Sequence, residues 1–419
     1  MPEEGHLRRL LPIVRGLRAR GHEVHVFTHS RFLPQVTTAG GRFIDLFSSW
    51  PLEAADRDSC PVPCRYVSFA GHYAAGILDA VRPLRVSLVV YDTFAVIGRV
   101  IAAELGVPGV NVCAGHNVAP AVFLEQLASD PRVAIAPACH AAVERLRNTH
   151  HMPDATPFAY VDGMSTALNI YCEPPAFLTA VERQAFEPIA FFGSLPSIEY
   201  IGKPRQNPQP AHFAPGNRGR RIYISFGTVV WRYYAAEALA AMAALADAIA
   251  RQPGLDALIS FGGADAADAH ASRLRRPNVR VEKRVDQWAV LGETDLFVTH
   301  HGLNSTHEAI FNRVPMLSYP FFWDQPGLAA KCQAFGVARP LSATARGAVT
   351  AESVTRAITG ILQEHVTIAS RLEEAREREL AVMAGRHQVL DQIAAIAGGF
   401  PVAPQGAPTG AWRPGRSPG

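Results

Sequence analysis

Leu296-Phe-Val-Thr-His300-His301-Gly302-Leu-Asn304-Ser305-Thr306-His-Glu308-Ala-Ile310 is the stretch on which the fold turns. Its first four residues read as a short, continuously nonpolar strand of the kind buried in a parallel sheet. A polar turn containing a glycine follows, and helical sequence begins at about Asn304-Ser305. Strand, glycine turn and helix in succession make the unit of a doubly wound α/β domain. A helix N-terminus presents N–H groups without intrahelical acceptors and a partial positive charge, which suits an anion. Asn304 and Ser305 can donate to that anion, and His300 can supply another donor or a cation. Glu308, about one turn on, can accept from two vicinal hydroxyls. On these residues alone, Asn304 or Ser305 reads equally well as a plain N-cap.

Downstream, Phe321-Phe-Trp-Asp324-Gln325 ends a strand in aromatics and sets a carboxylate beside an amide, a pair able to hydrogen-bond vicinal hydroxyls. Its simpler reading is an Asp cap for the next helix. Upstream, Ile222 to Phe226 and Ala257 to Phe261 read as strands ending at glycines, with a helix over Ala235 to Ala250 between them. The first half repeats the alternation. Leu7, Leu10, Leu11, Val14 and Leu17 have helical spacing, Glu23 to Thr28 reads as a strand, and so do Val86 to Tyr91 and Val110 to Cys113. The expected organisation is a domain over residues 1–200, a Pro-rich linker over 201–220, a second domain over 221–365, terminal helices over 366–397 and a disordered tail over 398–419.

A doubly wound domain normally opens with its central strand. This sequence opens at Glu3-Glu4-Gly5-His6 and enters a helix, so the first strand of the amino-terminal domain is expected to be missing, and a start lying upstream is the favoured explanation.

Composition narrows the classes. Of 419 residues, 48% are hydrophobic and 18% charged, enough apolar matter for a packed core, which excludes a disordered chain. The net charge of +3 and the lack of a Lys/Arg block argue against a nucleic-acid surface. No apolar run is long enough to span a membrane. The six cysteines are dispersed with no signal peptide before them, which predicts free thiols and a cytoplasmic location. Cys60 and Cys64 lack further ligands at metal spacing. His307-Glu308 meets Phe311 where a zinc-protease motif needs a second histidine, so no metal site is expected.

Val285-Asp286-Gln287, Thr299 to Ser305, Glu308 and Asp324-Gln325 together resemble the donor signature of family 1 glycosyltransferases, the UDP-glycosyltransferase and bacterial macrolide-type enzymes of GT-B fold. The family pattern is valine-proline-glutamine, then histidine-x-glycine-x-asparagine-serine, a glutamate three residues on, and later aspartate-glutamine. The resemblance implies two Rossmann-like domains facing across a cleft, with a C-terminal helix returning to the first domain. It implies a nucleotide sugar, UDP- or dTDP-linked, as co-substrate and no other cofactor. By the same resemblance, His300 and Gly302 belong to the diphosphate loop, Asn304 and Ser305 meet the α-phosphate and Glu308 the ribose. Gln287 meets the base, Asp324 and Gln325 meet the sugar, and Ser225 and Thr228 form a second loop near the phosphates.

Gly5-His6 resembles the loop bearing the family's catalytic base, and Asp92 matches its supporting aspartate. Three residues depart from the pattern: Asp286 for proline, Arg284 for a base-stacking tryptophan, and His301 for glycine. His301 is expected to narrow the phosphate loop or add a cation to it. The segments Phe43 to Ala75 and His116 to Met164 read as long irregular loops walling an apolar acceptor site. The implied activity is inverting transfer of a hexose or deoxyhexose to a lipophilic small molecule. A nucleotide-sugar-binding auxiliary protein and a GT-B epimerase are the alternatives.

Overall fold

A computed structural model describes residues 3–113, 115, 118–195, 212–213 and 219–399. The expected linker and tail lie almost wholly outside them. The chain divides into two units. One comprises Met1–Ile198 with Ala381–Gly419, the other Glu199–Leu380.

The described residues of the second unit form one parallel sheet of six strands: β7 (Arg220–Ser225), β8 (Leu255–Ser260), β9 (Val279–Glu282), β10 (Leu296–Thr299), β11 (Met316–Ser318) and β12 (Ala338–Pro340). Their spatial order is β12-β11-β10-β7-β8-β9. The chain starts in the middle, winds outward to one edge, then returns to wind toward the other. The topological switch point therefore lies between β7 and β10, where the loops at the carboxyl ends part and leave a crevice. Ser225 and Thr299 are register partners there. Every residue of β8, β10 and β11 is buried, which is why these strands read as continuous apolar runs.

In the first unit, α1 (Glu4–Ala19) buries Leu7, Leu11 and Val14 against Phe32 and Val36. Among the described residues, β1 (His25–Thr28) pairs only with β2 (Arg42–Asp45). β3 (Val89–Asp92), β4 (Gly109–Cys113), β5 (Leu168–Tyr171) and β6 (Ile189–Phe191) form a separate parallel sheet in that order. Among the described residues no strand joins β1 to β3.

The expectation of long irregular loops over Phe43 to Ala75 and His116 to Met164 is corrected. The first contains most of β2 and most of α2 (Val62–Val81). The second contains α4 (Pro120–Ser129) and α5 (Pro137–Thr149), and α3 (Val96–Leu105) lies between the two segments. Proline at the first turns of α2, α4 and α5 looks like loop punctuation in sequence, yet it suits a helix start because its missing N–H has no intrahelical partner there. α2 and α5 pack at Gly71, where a Cβ would lie 2.4 Å from the carbonyl oxygen of Ala142. Arg145 Nε donates to the Gly71 carbonyl across the same contact at 2.8 Å.

The remaining helices used below are α6 (Ala235–Ala250), α7 (Gln287–Leu291), α8 (Leu303–Phe311), α9 (Gln325–Ala334) and α10 (His365–Ala397). The early part of α10 belongs to the second unit, where buried Glu379 meets His307 Nδ1 at 2.5 Å. Its later part belongs to the first unit. There Arg386 donates to the carbonyls of Phe192 and Leu195 at 2.6 and 2.7 Å.

Candidate active site

In the second unit, β7 and β10 deliver the loops Phe226-Gly227-Thr228 and His300-His301-Gly302 to the switch point. The His300 imidazole fills the space between them. A Cβ on Gly227 would lie 2.5 Å from His300 Nε2, and one on Gly302 would lie 2.4 Å from the same atom. Two glycines thus make the seat for one ring. Burial pushes the His300 pKa down to about 4, so the ring is neutral at pH 7 and acts as a hydrogen-bonding group. Of the two roles the sequence leaves open to His300, another donor or a cation, the neutral ring keeps the donor.

His301 adds no cation either. It is fully buried with φ +59°, and its ring joins Thr306 Oγ1 at 3.2 Å and Ser318 Oγ at 2.8 Å. Burial lowers its pKa to about 3, assisted by His300 and His307. His301 ties the β10 turn to α8 and β11, pointing into the core and neither narrowing the loop nor charging it.

Gly302 occupies the N-cap of α8, and no side chain caps this helix. The N-cap reading of Asn304 and Ser305 is thereby removed, since both lie inside the first turn. The first N–H to find an intrahelical acceptor is that of Thr306, to the Gly302 carbonyl at 3.0 Å. The donors of the preceding turn face the crevice end of the helix, an arrangement that suits a phosphate. Glu308 is buried in the next turn, and Gln287 Nε2 donates to its Oε2 at 2.7 Å and to Ser305 Oγ at 3.1 Å. Gln287, Ser305 and Glu308, dispersed in sequence, converge in one hydrogen-bonded group. Asp286 caps α7 by accepting from the Ala289 N–H at 3.3 Å, which accounts for an aspartate where the family has proline. Arg284 is exposed, beside Gly263.

Asp324 stands at the N-cap of α9, but its side chain does not cap the helix. Gln325 is buried, and its Oε1 accepts from the N–H groups of Phe321 and Phe322 at 2.9 and 3.4 Å. The expectation that the Gln325 side chain meets ligand hydroxyls is corrected to this extent: its oxygen is engaged within the turn, which leaves the amide nitrogen for a ligand. Aromatic rings surround this turn. Tyr234 stacks on Phe322 at 5.2 Å, Tyr233 lies 6.2 Å from Trp323, and Arg346 sits over Tyr234 at 4.7 Å. Ser225 is buried and Thr228 exposed.

In the first unit, His6 lies in the first turn of α1 and its Nδ1 is 2.8 Å from Asp92 Oδ2. Asp92 is 2% exposed at the carboxyl end of β3, and its other oxygen accepts from the Phe94 N–H at 3.0 Å. Burial alone would raise its pKa, but the His6 charge and hydrogen bond, with Arg9, hold it below the usual carboxylate value. The Phe94 ring lies 4.8 Å from the His6 ring. The next helix, α3, is preceded by Ala95, so Asp92 does not serve as its cap. Sequence reasoning missed Phe94 and Gly227. Gly227 sat inside a recognised motif, but its role as half of a ring seat appears only when β7 and β10 are side by side.

Among the described residues no group of three or more His, Cys, Asp or Glu is placed to hold a metal, and no helix is long and apolar enough to cross a membrane. The profile of the UDP-glucoronosyl and UDP-glucosyl transferase family matches residues 193–372, the stretch that carries the switch-point loops. The NDP-glycosyltransferase YjiC of Bacillus subtilis is 24% identical over 350 residues, 80% of this chain and 82% of that protein. The oleandomycin glycosyltransferase of Streptomyces antibioticus is 25% identical over 351 residues, 81% of this chain and 77% of that one. Among solved structures, the glycotransferase of kitacinnamycin superposes with a TM-score of 0.72 at 23% identity, covering 94% of this chain and 97% of that one. The fold of the chain is GT-B.

Proposed function

We propose that the chain is an inverting glycosyltransferase that moves a hexose or deoxyhexose from a UDP- or dTDP-sugar to a hydroxyl of a lipophilic small molecule. The observation that carries this reading is the convergence at the switch point of the second unit. The neutral His300 ring, the start of α8 and the Gln287–Ser305–Glu308 group gather donors for a diphosphate beside a carboxylate for a ribose.

The first unit supplies the base. Asp92 accepts from His6 Nδ1, which fixes the tautomer and leaves Nε2 with its lone pair. Nε2 takes the acceptor hydroxyl's proton as that oxygen attacks the anomeric carbon of an α-linked donor. Configuration inverts, a β-glycoside forms, and the nucleoside diphosphate leaves with the bonding pair. Asp92 stabilises the imidazolium that results, and the α8 terminus and the His300 N–H bind the charge gathering on the leaving oxygen. Asp324 and the Gln325 amide nitrogen hold the donor sugar. A small-molecule acceptor of macrolide or phenolic type agrees with the oleandomycin enzyme among the relatives.

The test is incubation with UDP- and dTDP-sugars and a panel of macrolide, polyketide and phenolic acceptors, read by mass spectrometry. An acceptor gaining one hexose or deoxyhexose is the expected result. His6→Ala should nearly abolish that gain while nucleotide binding by calorimetry stays intact. Nucleotide binding with no acceptor gain from any donor would overturn the transferase reading, and full turnover by His6→Ala would remove His6 from the mechanism.

A further inference from the structure

Three loops meet at the switch point of the second unit, and glycines set how closely they approach. Gly227 follows β7, Gly262 follows β8 and Gly302 follows β10. The His300 ring lies on one side of Gly227. Gly262 lies on the other, where a Cβ would come 2.6 Å from the Gly227 carbonyl oxygen. That oxygen is also held by a side chain that belongs to none of the motif residues. The indole Nε1–H of Trp231 donates to it at 2.9 Å. Trp231 stands in the one-turn helix Val230–Tyr233. Its ring stacks on buried Phe261, the residue after β8, with centroids 4.6 Å apart and planes 24° apart. The stack fixes the ring, and the ring aims its N–H at the turn after β7.

A trans peptide is rigid and planar, with its C=O and N–H pointing in opposite directions. The carbonyl of the Gly227–Thr228 peptide is turned to the β8 side, toward Gly262 and Trp231. Its N–H, on Thr228, is therefore turned the other way. β7 lies between β8 and β10, so the other way is toward β10 and the crevice beside His300. Among the described residues no protein acceptor takes the Thr228 N–H. Gly227, at φ +73°, puts little resistance of its own in the way of a peptide flip. The orientation therefore comes from what grips the carbonyl.

We propose that Trp231 is a positioning residue for diphosphate binding: it grips the Gly227 carbonyl and so holds the Thr228 N–H toward the crevice as a preset donor. The inference rests on the transferase reading and deepens it at the donor site. A donor already turned toward the ligand costs no reorganisation when charge develops there. Without the indole N–H the peptide turns freely, and its N–H faces the crevice for only part of the time.

The test is Trp231→Phe, which keeps a ring on Phe261 and removes the N–H. Gly262→Ala is the second variant, because its Cβ displaces the same carbonyl from the opposite side. UDP and dTDP are titrated by calorimetry, KM is measured for donor and acceptor separately, and the Thr228 amide is followed by NMR. Both variants should bind the diphosphate about five- to tenfold more weakly, the worth of one hydrogen bond. Donor KM should rise with acceptor KM unchanged. In the wild-type chain the Thr228 amide resonance should move downfield when the diphosphate is added, and in Trp231→Phe it should move markedly less. Unchanged diphosphate affinity in both variants would overturn the proposal. So would a Thr228 resonance that ignores the diphosphate, or that shifts equally in wild type and Trp231→Phe. A wild-type chain that binds neither diphosphate would overturn the donor-site reading itself, and this inference with it.

Discussion

His300 shows how little room the switch point of the second unit allows. Its ring occupies the volume that a Cβ on Gly227 or Gly302 would take. The two glycines are not equivalent. Gly227 has φ +73°, so any side chain there is strained as well as crowded, whereas Gly302 has φ −63° and tolerates an alanine backbone. Gly302→Ala is therefore a purely steric probe. We expect it to displace the His300 ring and weaken nucleotide-sugar binding by about tenfold, the worth of one good hydrogen bond, with the thermal midpoint nearly unchanged. Calorimetric titration checks this, and wild-type affinity would mean that the ring does not contact the diphosphate.

At the scale of elements, the amino-terminal unit depends on close contact between α2 and α5. Gly71 lets one helix approach the Ala142 carbonyl of the other. A larger side chain must push the helices apart or move off its rotamer, at a cost of about 1–3 kcal/mol. We expect Gly71→Val to lower stability by that amount in urea unfolding, and Ala142→Gly to recover part of the loss by removing the facing methyl group. These helices occupy sequence that reads as loop. Proline at a first helical turn and proline in a loop have the same local signature, and burial against a partner helix decides between them.

For the whole molecule, the buried rings of His300 and His301 make stability depend on pH. In the unfolded chain each binds a proton near 6.5, whereas in the folded chain burial lowers His300 to about 4 and His301 to about 3. Within that window the unfolded state holds more protons, so stability falls as pH falls, by up to about 1.4 kcal/mol per pH unit for each ring. Below the folded values this contribution levels off. Asp92 acts in a separate window. Its folded pKa lies below 3.8, so its contribution is present above 3.8 and is lost as pH falls through the folded value. Unfolding midpoints in urea at pH 7 and pH 5 should therefore differ. His301→Asn, in which the amide tolerates the left-handed backbone, should remove roughly half of that difference. An unchanged slope would mean that His301 titrates alike in both states.

The sequence by itself determined the strand Leu296–Thr299 to the residue and the helix after it. Local rules suffice there: a buried parallel strand is a continuous apolar run, and a glycine turn into a helix has a fixed chemistry. The pairing of His6 with Asp92, 86 positions apart, was legible only through the family resemblance. Tertiary structure alone decided the rest. It set Gln287 on Glu308, turned His301 into the core as a neutral bridge and engaged the Gln325 oxygen in a turn. Each depends on which distant element packs alongside, and on the burial that follows, neither of which a residue's neighbours in sequence encode.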